Sequence, residues 1–232
     1  MWEFYGLIEK AGAHPNKPLS LIAGILLFLT LSLRGSGYYD EKVLLLNIPM
    51  LFILIIAELW RIREKPFENI AYSVLGVLYI SLPLGLMTFF FNPAVPSGPL
   101  HYGTALGYLF ILWTSDTAAY LVGSLLGKHH LFERISPKKS WEGSIGGALF
   151  ALLISYGISF IFTGHSAKEW LLIALLIIIF GTLGDLSESL LKRSLNIKDS
   201  GNILPGHGGI LDRFDAVLVS VPFVFVFLTL FC

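Results

Sequence analysis

Charged residues crowd one short stretch near the end of the chain, from Ser189 to Asp215. These 27 residues contain two lysines, two arginines, three aspartates and a histidine, although long apolar segments flank them on both sides. A charged side chain at the centre of a bilayer costs roughly 2.5–3.5 kcal/mol on insertion scales, so dense charge beside spanning helices is typical of sites that handle ions or charged substrates. The stretch therefore predicts such a site at one end of an apolar helix bundle.

Four carboxylates are predicted to converge at this site. Asp185 and Glu188 lie three residues apart near the end of the sixth apolar segment, and Asp212 and Asp215 have the same spacing at the start of the seventh. Residues at this spacing share one face of a helix. Mg²⁺ takes one or two protein carboxylates and completes its shell with water and substrate phosphates, so Asp185 and Asp212 fit a Mg²⁺ site. In the alternative, Glu188 pairs with Lys192, and Asp212 only favours the positive amino end of its helix.

Groups suited to phosphate lie beside these carboxylates. Gly206, Gly208 and Gly209 leave backbone N–H groups open just before the seventh segment, where the amino end of a helix favours anions. His207 lies in the same turn and could contact a phosphate. The alternative is an ordinary turn with a solvated histidine. Four basic residues of the stretch either neutralise phosphate or only anchor the ends of two spans. They are Lys192, Arg193, Lys198 and Arg213.

A second charged loop, Ser136–Gly143, lies between the fourth and fifth apolar segments. Two of its lysines are flanked by serine hydroxyls, which suits a triphosphate, although charge that anchors the end of a span explains the lysines equally well. The loop residues predicted to bind nucleotide phosphates are Ser136, Lys138, Lys139 and Ser140. His129 and His130 are expected at the surface, because no carboxylate partner lies near them in sequence.

Asp116 differs from these residues because it lies inside the fourth apolar segment, roughly 16 Å of helix above Gly127 at 1.5 Å per residue. At that depth it is expected to face protein or water, since facing lipid would be costly. Tyr120, Gly123 and Gly127 follow at helical spacing, which gives a polar, small-residue face that another helix or a polar head group could approach. A buried Asp116 that is hydrogen-bonded to a neighbouring Tyr or Ser is the alternative.

The composition of the whole chain indicates that the bilayer is its solvent. Of the 232 residues, 55% are hydrophobic and 14% are charged, and the mean hydropathy is +0.73, whereas soluble domains carry about 25% charged residues. Seven stretches approach the ~20 residues that cross the ~30 Å hydrocarbon core. They run approximately Pro18–Leu33, Val43–Trp60, Ile70–Phe91, Leu100–Leu126, Gly143–Thr163, Trp170–Leu191 and Ile210–Phe231. The predicted fold class is all-α, a polytopic membrane protein of about seven transmembrane helices.

The distribution of Lys and Arg predicts the orientation, because basic residues accumulate in cytoplasmic loops. With seven spans, 13 of the 16 basic residues fall on one side, and only Arg34, Lys42 and Lys168 fall on the other. The amino terminus is therefore predicted in the cytoplasm, the carboxyl terminus outside, and the charged site at the cytoplasmic face. Residues 1–100 are predicted as about three amino-terminal spans, with an interfacial stretch at 5–14, and residues 101–232 as the catalytic region.

Net charge and cysteine content narrow the function classes further. The formal net charge is zero, and the basic face would attract lipid phosphates or nucleotides, so no nucleic-acid partner is needed to explain it. The chain has a single cysteine, Cys232, which excludes an internal disulfide.

The charged stretch also carries the residue identities of a known family. The segments Ser189–Arg193, Lys198–Gly201 and Leu204–Asp215 together resemble the signature of phosphatidate cytidylyltransferases, also called CDP-diacylglycerol synthases. Three upstream segments are similar to segments of the same family. They are Asp116–Tyr120, Ser136–Gly143 and Gly184–Ser189. The likeness covers residues 109–217, and the first hundred residues carry no motif.

This resemblance implies that phosphatidate and CTP react to give CDP-diacylglycerol and pyrophosphate for phospholipid biosynthesis. It implies Mg²⁺ at Asp185 and Asp212, support from Asp215, and room for a second cation in the same site. The implied catalytic residues are Asp185, Lys192, Arg193, Lys198, Asp212, Arg213 and Asp215. The implied substrate-binding residues are Asp116, Tyr120, Ser136, Lys138, Lys139, Ser140, Glu188, Asp199, Gly206, His207, Gly208 and Gly209. The implied setting is the bacterial inner membrane, where small-residue helix faces are compatible with a homodimer.

Two other functions remain open from the residues alone. A related lipid enzyme would use the same chemistry to phosphorylate a polyprenol with CTP or to cytidylylate an ether-lipid phosphate. A cation-coupled transporter would be built around Asp116, Asp185 and Asp212. Transporters usually show inverted repeats with helices interrupted at the midplane, whereas these charges lie near one end of the spans and no repeat is visible. The enzyme is therefore the favoured prediction.

Overall fold

Helices make up most of the chain in the computed structural model, which describes residues 1–91, 102–197, 200–201 and 208–232. Within these ranges there are eight helices and one small two-stranded sheet. The helices are α1 (Trp2–Lys10), α2 (Lys17–Gly35), α3 (Glu41–Trp60), α4 (Pro66–Phe91), α5 (Tyr102–Leu126), α6 (Trp141–Ile158), α7 (Ala167–Ser194) and α8 (Leu211–Phe231). The strands are β1 (His130–Phe132) and β2 (Ser136–Ser140).

The seven helices α2 to α8 are each long and apolar enough to cross a membrane, which confirms the predicted all-α architecture of seven spans. Two spans differ most from the predicted bounds. Helix α4 begins at Pro66 rather than Ile70, because proline suits the first turn of a helix. Helix α6 ends at Ile158 rather than Thr163, next to Gly157, whose low helix propensity weakens the last turn.

Three of the spans begin with a cap from a neighbouring side chain. Asn16 caps α2, Ser140 accepts the N–H of Gly143 at 3.1 Å to cap α6, and Ser166 forms a reciprocal capping box with Glu169 at the start of α7. Helix α8 has no such cap from its own flanking residue. Its first amides must therefore find partners elsewhere in the molecule.

The helices α5 to α8 pack closely around an apolar core that includes Tyr108, Ile111 and Trp170. Glycines allow the backbones to approach closely, as two of these contacts show. A Cβ atom at Gly147 would lie 2.7 Å from the carbonyl oxygen of Ser115, and a Cβ at Gly184 would lie 2.5 Å from that of Asp215. Small residues at helix contacts are typical of membrane bundles. These contacts set the positions of the neighbouring acidic residues.

Helix α1, which contains part of the predicted interfacial stretch 5–14, packs one face against the bundle. Four of its residues, Phe4, Tyr5, Leu7 and Ile8, are buried in an apolar cluster that also contains Leu211 of α8. The Tyr5 hydroxyl donates a 2.8 Å hydrogen bond to the carbonyl oxygen of Ser73 in α4, and burial raises the Tyr5 pKa to about 12. Helix α1 therefore joins the start of α8 to α4.

A short antiparallel hairpin connects α5 to α6. His130 pairs with Ser140 and Phe132 with Ser136, with an irregularity between the two pairs. The hairpin lies at the same end of the bundle as the start of α8, since Lys139 in β2 forms an ion pair with Asp185 in α7. The segment 92–99, whose three prolines predict a stiff external turn, lies outside the described residues.

Candidate active site

A cavity of about 620 Å³ opens at the end of the bundle where α5, α6, α7 and α8 meet β2. Among the residues that the structure describes, eight charged side chains line it, four acidic and four basic. They are Asp116, Lys138, Lys139, Asp185, Lys192, Asp212, Arg213 and Asp215. The structure thus brings together residues that the sequence separates by as many as 99 positions. Cavities of this volume accommodate small-molecule ligands.

One ion pair joins the hairpin to α7 across the cavity. The Nζ atom of Lys139 lies 2.5 Å from Oδ2 of Asp185, and both side chains are about one-third exposed. The hydroxyl of Ser189 donates a longer hydrogen bond, 3.4 Å, to the other oxygen of Asp185. Lys139 was predicted to bind nucleotide phosphates, and in this structure its partner is the carboxylate that was predicted to bind metal.

A second, more deeply buried cluster joins α7 to α8. Lys192 donates to Glu188 at 2.8 Å and to Asp212 at 2.7 Å. The side chain of Glu188 is fully buried, so it faces Lys192 rather than the cavity. This pair matches the alternative suggested by the spacing of Glu188 and Lys192. Lys192 consequently holds the carboxylate of Asp212 in place.

Backbone amides fix the orientation of Asp212 further. Its Oδ2 accepts the N–H of Ser200 at 3.0 Å and the N–H of Gly209 at 2.8 Å. Lys192 and these two amides are three donors, whereas a carboxylate has about four acceptor sites, so one site stays open. Asp212 is therefore rigidly held at the edge of the cavity and can still accept a further ligand.

Asp116 and Asp215 line the same cavity without a basic partner among the described residues. Asp215 accepts the N–H of Ala216 at 2.7 Å, and Asp116 makes no hydrogen bond or ion pair in the described part of the chain. Within the described ranges, no three cavity carboxylates bring their oxygens within 4.8 Å of one another. The arrangement suits a cation that takes one or two carboxylates and draws its other ligands from water and substrate, as Mg²⁺ does.

The remaining predicted residues are distributed as follows. Tyr120 and Ser140 line the cavity, whereas Ser136 does not. Arg193 is exposed and points its Nε atom at the carbonyl oxygen of Ile135, 3.4 Å away, so it contacts the hairpin rather than the cavity.

Gly208 has a positive φ of 80°, which favours glycine there. The predicted residues that lie outside the described ranges are Lys198, Asp199, Gly206 and His207.

His129 and His130 are exposed, as expected, although one of them has the carboxylate partner that the sequence did not indicate. His129 has a carboxylate partner, Glu142, whose Oε1 lies 2.5 Å from the histidine Nδ1. The other oxygen of Glu142 accepts the N–H groups of Lys128 and His129, so Glu142 closes the hairpin onto α6. The interaction was missed because the hairpin brings together residues 13 positions apart.

Of the glycine amides predicted to stay open for phosphate, that of Gly209 binds a protein carboxylate, and so do the next two amides along the chain. Gly209 donates to Asp212, as described above, and Ile210 and Leu211 donate to Glu3 of α1. Glu3 was not singled out in the sequence, because no motif includes it. Ser115, Ser144 and Thr182 also line the cavity and were missed, since isolated hydroxyl residues in apolar segments give no local signal.

Seven spans with a charged cavity at one end define a polytopic membrane protein built to handle a charged substrate. The model of the Cytidylyltransferase family matches residues 1–231, and the chain belongs to this family. It is 37% identical to the phosphatidate cytidylyltransferase of Staphylococcus haemolyticus (strain JCSC1435) over 211 residues, which is 90% of this chain and 78% of the relative. It is 38% identical to that of Staphylococcus saprophyticus over 88% of this chain and 76% of the relative.

Proposed function

We propose that this protein transfers a cytidylyl group from CTP to phosphatidate, giving CDP-diacylglycerol and pyrophosphate for phospholipid biosynthesis. The observation that carries the proposal is the cavity in which Lys192, Asp212 and Asp215 of the signature meet Asp116 and Lys139. Membership of the Cytidylyltransferase family and the names of the relatives support the same conclusion.

The proposed reaction requires no nucleophile from the protein. An anionic phosphate oxygen of phosphatidate attacks the α-phosphorus of CTP and forms a new P–O bond. The bond between the α-phosphorus and the oxygen that bridges to the β-phosphate breaks, and pyrophosphate leaves with that electron pair. Because the attacking oxygen carries no proton, no strong base is needed. The main barrier is the repulsion between anions, which positioned charges relieve.

The charge of the cavity fits this task. Among the described residues its four acidic and four basic side chains cancel formally, so a triphosphate and a phosphatidate would add negative charge that must be offset. Lys138 and Lys139 are proposed to contact the CTP phosphates, and Lys192 and Arg213 to neutralise the reacting phosphate and the departing pyrophosphate. When Lys139 turns to a phosphate, its partner Asp185 becomes available for a cation.

A divalent cation completes this proposal, since cytidylyltransferases generally use one. We assign Mg²⁺ to Asp185 and Asp212, with Asp215 in support and room for a second cation. The bound ion would supply positive charge to the phosphoryl oxygens. The chain itself holds Asp212 in place through Lys192 and two backbone amides.

Phosphatidate is proposed to enter sideways from the inner leaflet of the bacterial plasma membrane, with its tails remaining among lipids. The site then faces the cytoplasm, as the distribution of basic residues indicates. Residues 101–232 form the proposed catalytic region, and residues 1–100 support it. A homodimer through small-residue helix faces is compatible with this arrangement.

The experiment that tests the function is pyrophosphate release by the detergent-purified protein. We expect release only when CTP, phosphatidate and Mg²⁺ are all present, and none when ATP replaces CTP. A polyprenol and an ether-lipid phosphate are offered in parallel. Release with a polyprenol or an ether-lipid phosphate, and none with phosphatidate, would identify a different lipid enzyme and reject the proposal.

The Asp212→Asn variant tests the site itself, because it keeps the shape of the side chain and removes its charge. Turnover should fall by at least about 100-fold, since Asp212 is proposed both to bind the cation and to orient it. Gel filtration and thermal unfolding establish that the variant is folded. Near-normal turnover in folded Asp212→Asn protein would exclude this assignment while leaving the overall reaction standing.

A further inference from the structure

Glu3 caps a helix that begins more than two hundred residues later. Its Oε1 accepts the N–H of Ile210 at 3.0 Å, and its Oε2 accepts the N–H of Leu211 at 2.8 Å. Helix α8 has no cap from its own flanking residue, so Glu3 satisfies two of the amides that a helix start leaves unpaired. A carboxylate in this position also interacts favourably with the helix dipole.

The cap is directly adjacent to Asp212. Three consecutive amides at the start of α8 are bound by two carboxylates: Gly209 donates to Asp212, and the next two residues donate to Glu3. Any shift of these amides therefore moves the Asp212 carboxylate as well. Glu3 and Asp212 act together on one short piece of backbone.

Glu3 also contacts the signature on both sides of residues 202–208. A Cβ atom at Gly201 would lie 2.7 Å from Oε1 of Glu3, and a Cβ at Gly209 would lie 2.8 Å from Oε2. Both distances are shorter than real Cβ contacts, so these two glycines leave the space that Glu3 occupies. A side chain at either glycine would therefore displace the Glu3 carboxylate.

The position of Glu3 does not depend on its own hydrogen bonds. Helix α1 is held by the buried Tyr5, which donates to the carbonyl of Ser73, and the segment after α1 is held by the N–H of His14, which donates to Asn69 at 2.7 Å. Asn69 is fully buried and in turn donates to Glu58 at 3.0 Å. A change at Glu3 should therefore leave α1 docked.

We propose that Glu3 is a positioning residue for the reaction. It touches no substrate; it holds the start of α8 so that Asp212 presents its carboxylate to the cation. This inference rests on the proposed function, in which Asp212 is a cation ligand. It also assigns a role in catalysis to residues 1–100, because α4 holds α1 in place and α1 carries Glu3.

The test compares Glu3→Ala and Glu3→Gln with Glu9→Gln in protein tagged at the carboxyl terminus. Glu9 lies on the same helix and pairs with Lys17 at 2.6 Å, away from the cavity, so its loss should change little. Three quantities are measured on folded protein: kcat, the KM for CTP, and the affinity for Mn²⁺ by electron paramagnetic resonance. Asp212→Asn is measured alongside.

We expect Glu3→Ala to lose about tenfold in both kcat and Mn²⁺ affinity, the usual effect of removing a group that orients a metal ligand. Glu3→Gln should lie between Glu3→Ala and wild type, because its amide retains one acceptor oxygen for two N–H donors. Glu9→Gln should match wild type, and the KM for CTP should change little in all three variants.

Folded Glu3→Ala or Glu3→Gln with wild-type kcat and Mn²⁺ affinity would overturn the proposal. The proposal would also be overturned if the variants gave a lower yield of folded protein but each folded molecule kept the wild-type kcat and Mn²⁺ affinity. That result would define a purely structural role for Glu3. Should Asp212→Asn itself keep activity and Mn²⁺ binding, the proposed site fails instead, and the two failures are distinguished within the same set of measurements.

Discussion

At the scale of single residues, Lys192 has the most consequential position, because two carboxylates from different helices depend on it. Glu188 is fully buried and has Lys192 as its ion-pair partner, at 2.8 Å, and Asp212 takes the same ammonium at 2.7 Å. Removing one partner of a buried ion pair leaves an uncompensated charge, which typically costs about 3–5 kcal/mol. Lys192 therefore serves both the stability of α7 with α8 and the geometry of the cavity.

Lys192→Met should accordingly lower both stability and turnover. We expect destabilisation of about 3–5 kcal/mol in thermal unfolding in detergent. Adding Glu188→Gln should recover much of the stability, because the buried side chain is then neutral. It should not recover the turnover, since Asp212 still lacks the Lys192 ammonium group that holds it in place. Lys168→Met, an exposed lysine at the other end of α7, is the matched control. A Lys192→Met protein as stable as wild type would contradict this account.

Lys139 gives a second prediction at this scale, concerning substrate affinity. If it exchanges Asp185 for a CTP phosphate, Lys139→Ala should raise the KM for CTP about tenfold or more, since hydrogen bonds to charged groups contribute ~1.5–3 kcal/mol. Lys128→Ala removes an exposed lysine on the same side that does not line the cavity, and it should leave KM within about twofold of wild type. Equal KM values for the two variants would remove Lys139 from the CTP site.

At the scale of elements, the distance between α7 and α8 determines how the carboxylates meet. Gly184→Ala would place a Cβ 2.5 Å from the carbonyl oxygen of Asp215 and 3.2 Å from the Cα of Ala216, so the helices must separate. Because Asp185 follows Gly184 directly, it would shift relative to Asp212. A displacement of 1 Å can cost ~100-fold in rate, and we expect a loss of at least about tenfold in kcat.

Gly157→Ala is the control for this prediction. Nothing lies within 4 Å of the Cβ that it would add on α6. The change should leave kcat unaltered and raise stability by up to about 0.8–1.0 kcal/mol, the difference in helix propensity between Gly and Ala. If Gly184→Ala behaved like Gly157→Ala in the activity assay, close contact of α7 with α8 would not be needed for catalysis.

What could be predicted from sequence also differs by element. The spans follow from local apolar length, and the Glu188–Lys192 pair follows from helical spacing, so both were accessible. The docking of α1 was not, because this nine-residue helix is too short to span a membrane and its partners lie in α4 and α8. The hairpin was also missed, since β1 is only three residues long and β2 consists of Ser, Pro and Lys, which are not typical of strands. The contacts that dock α1 lie far away in sequence.

At the scale of the whole molecule, the cavity and the hairpin lie at one end of the spans, and the α6–α7 loop lies at the other. A bundle with seven spans places these two loops on opposite sides of the membrane. The strong asymmetry of Lys and Arg predicts that the hairpin side is cytoplasmic, where CTP is available. Orientation therefore decides whether the proposed reaction is possible in a cell.

Cysteine labelling can test this orientation, because Cys232 is the only native cysteine. In a Cys232→Ser background, Thr163→Cys lies in the α6–α7 loop and Glu133→Cys in the hairpin, and both positions are exposed. A membrane-impermeant maleimide applied to intact cells should label Thr163→Cys and leave Glu133→Cys unlabelled until the membrane is permeabilised. The reverse pattern would place the cavity outside, away from cytoplasmic CTP, and would be incompatible with the proposed function even if the purified protein bound nucleotide.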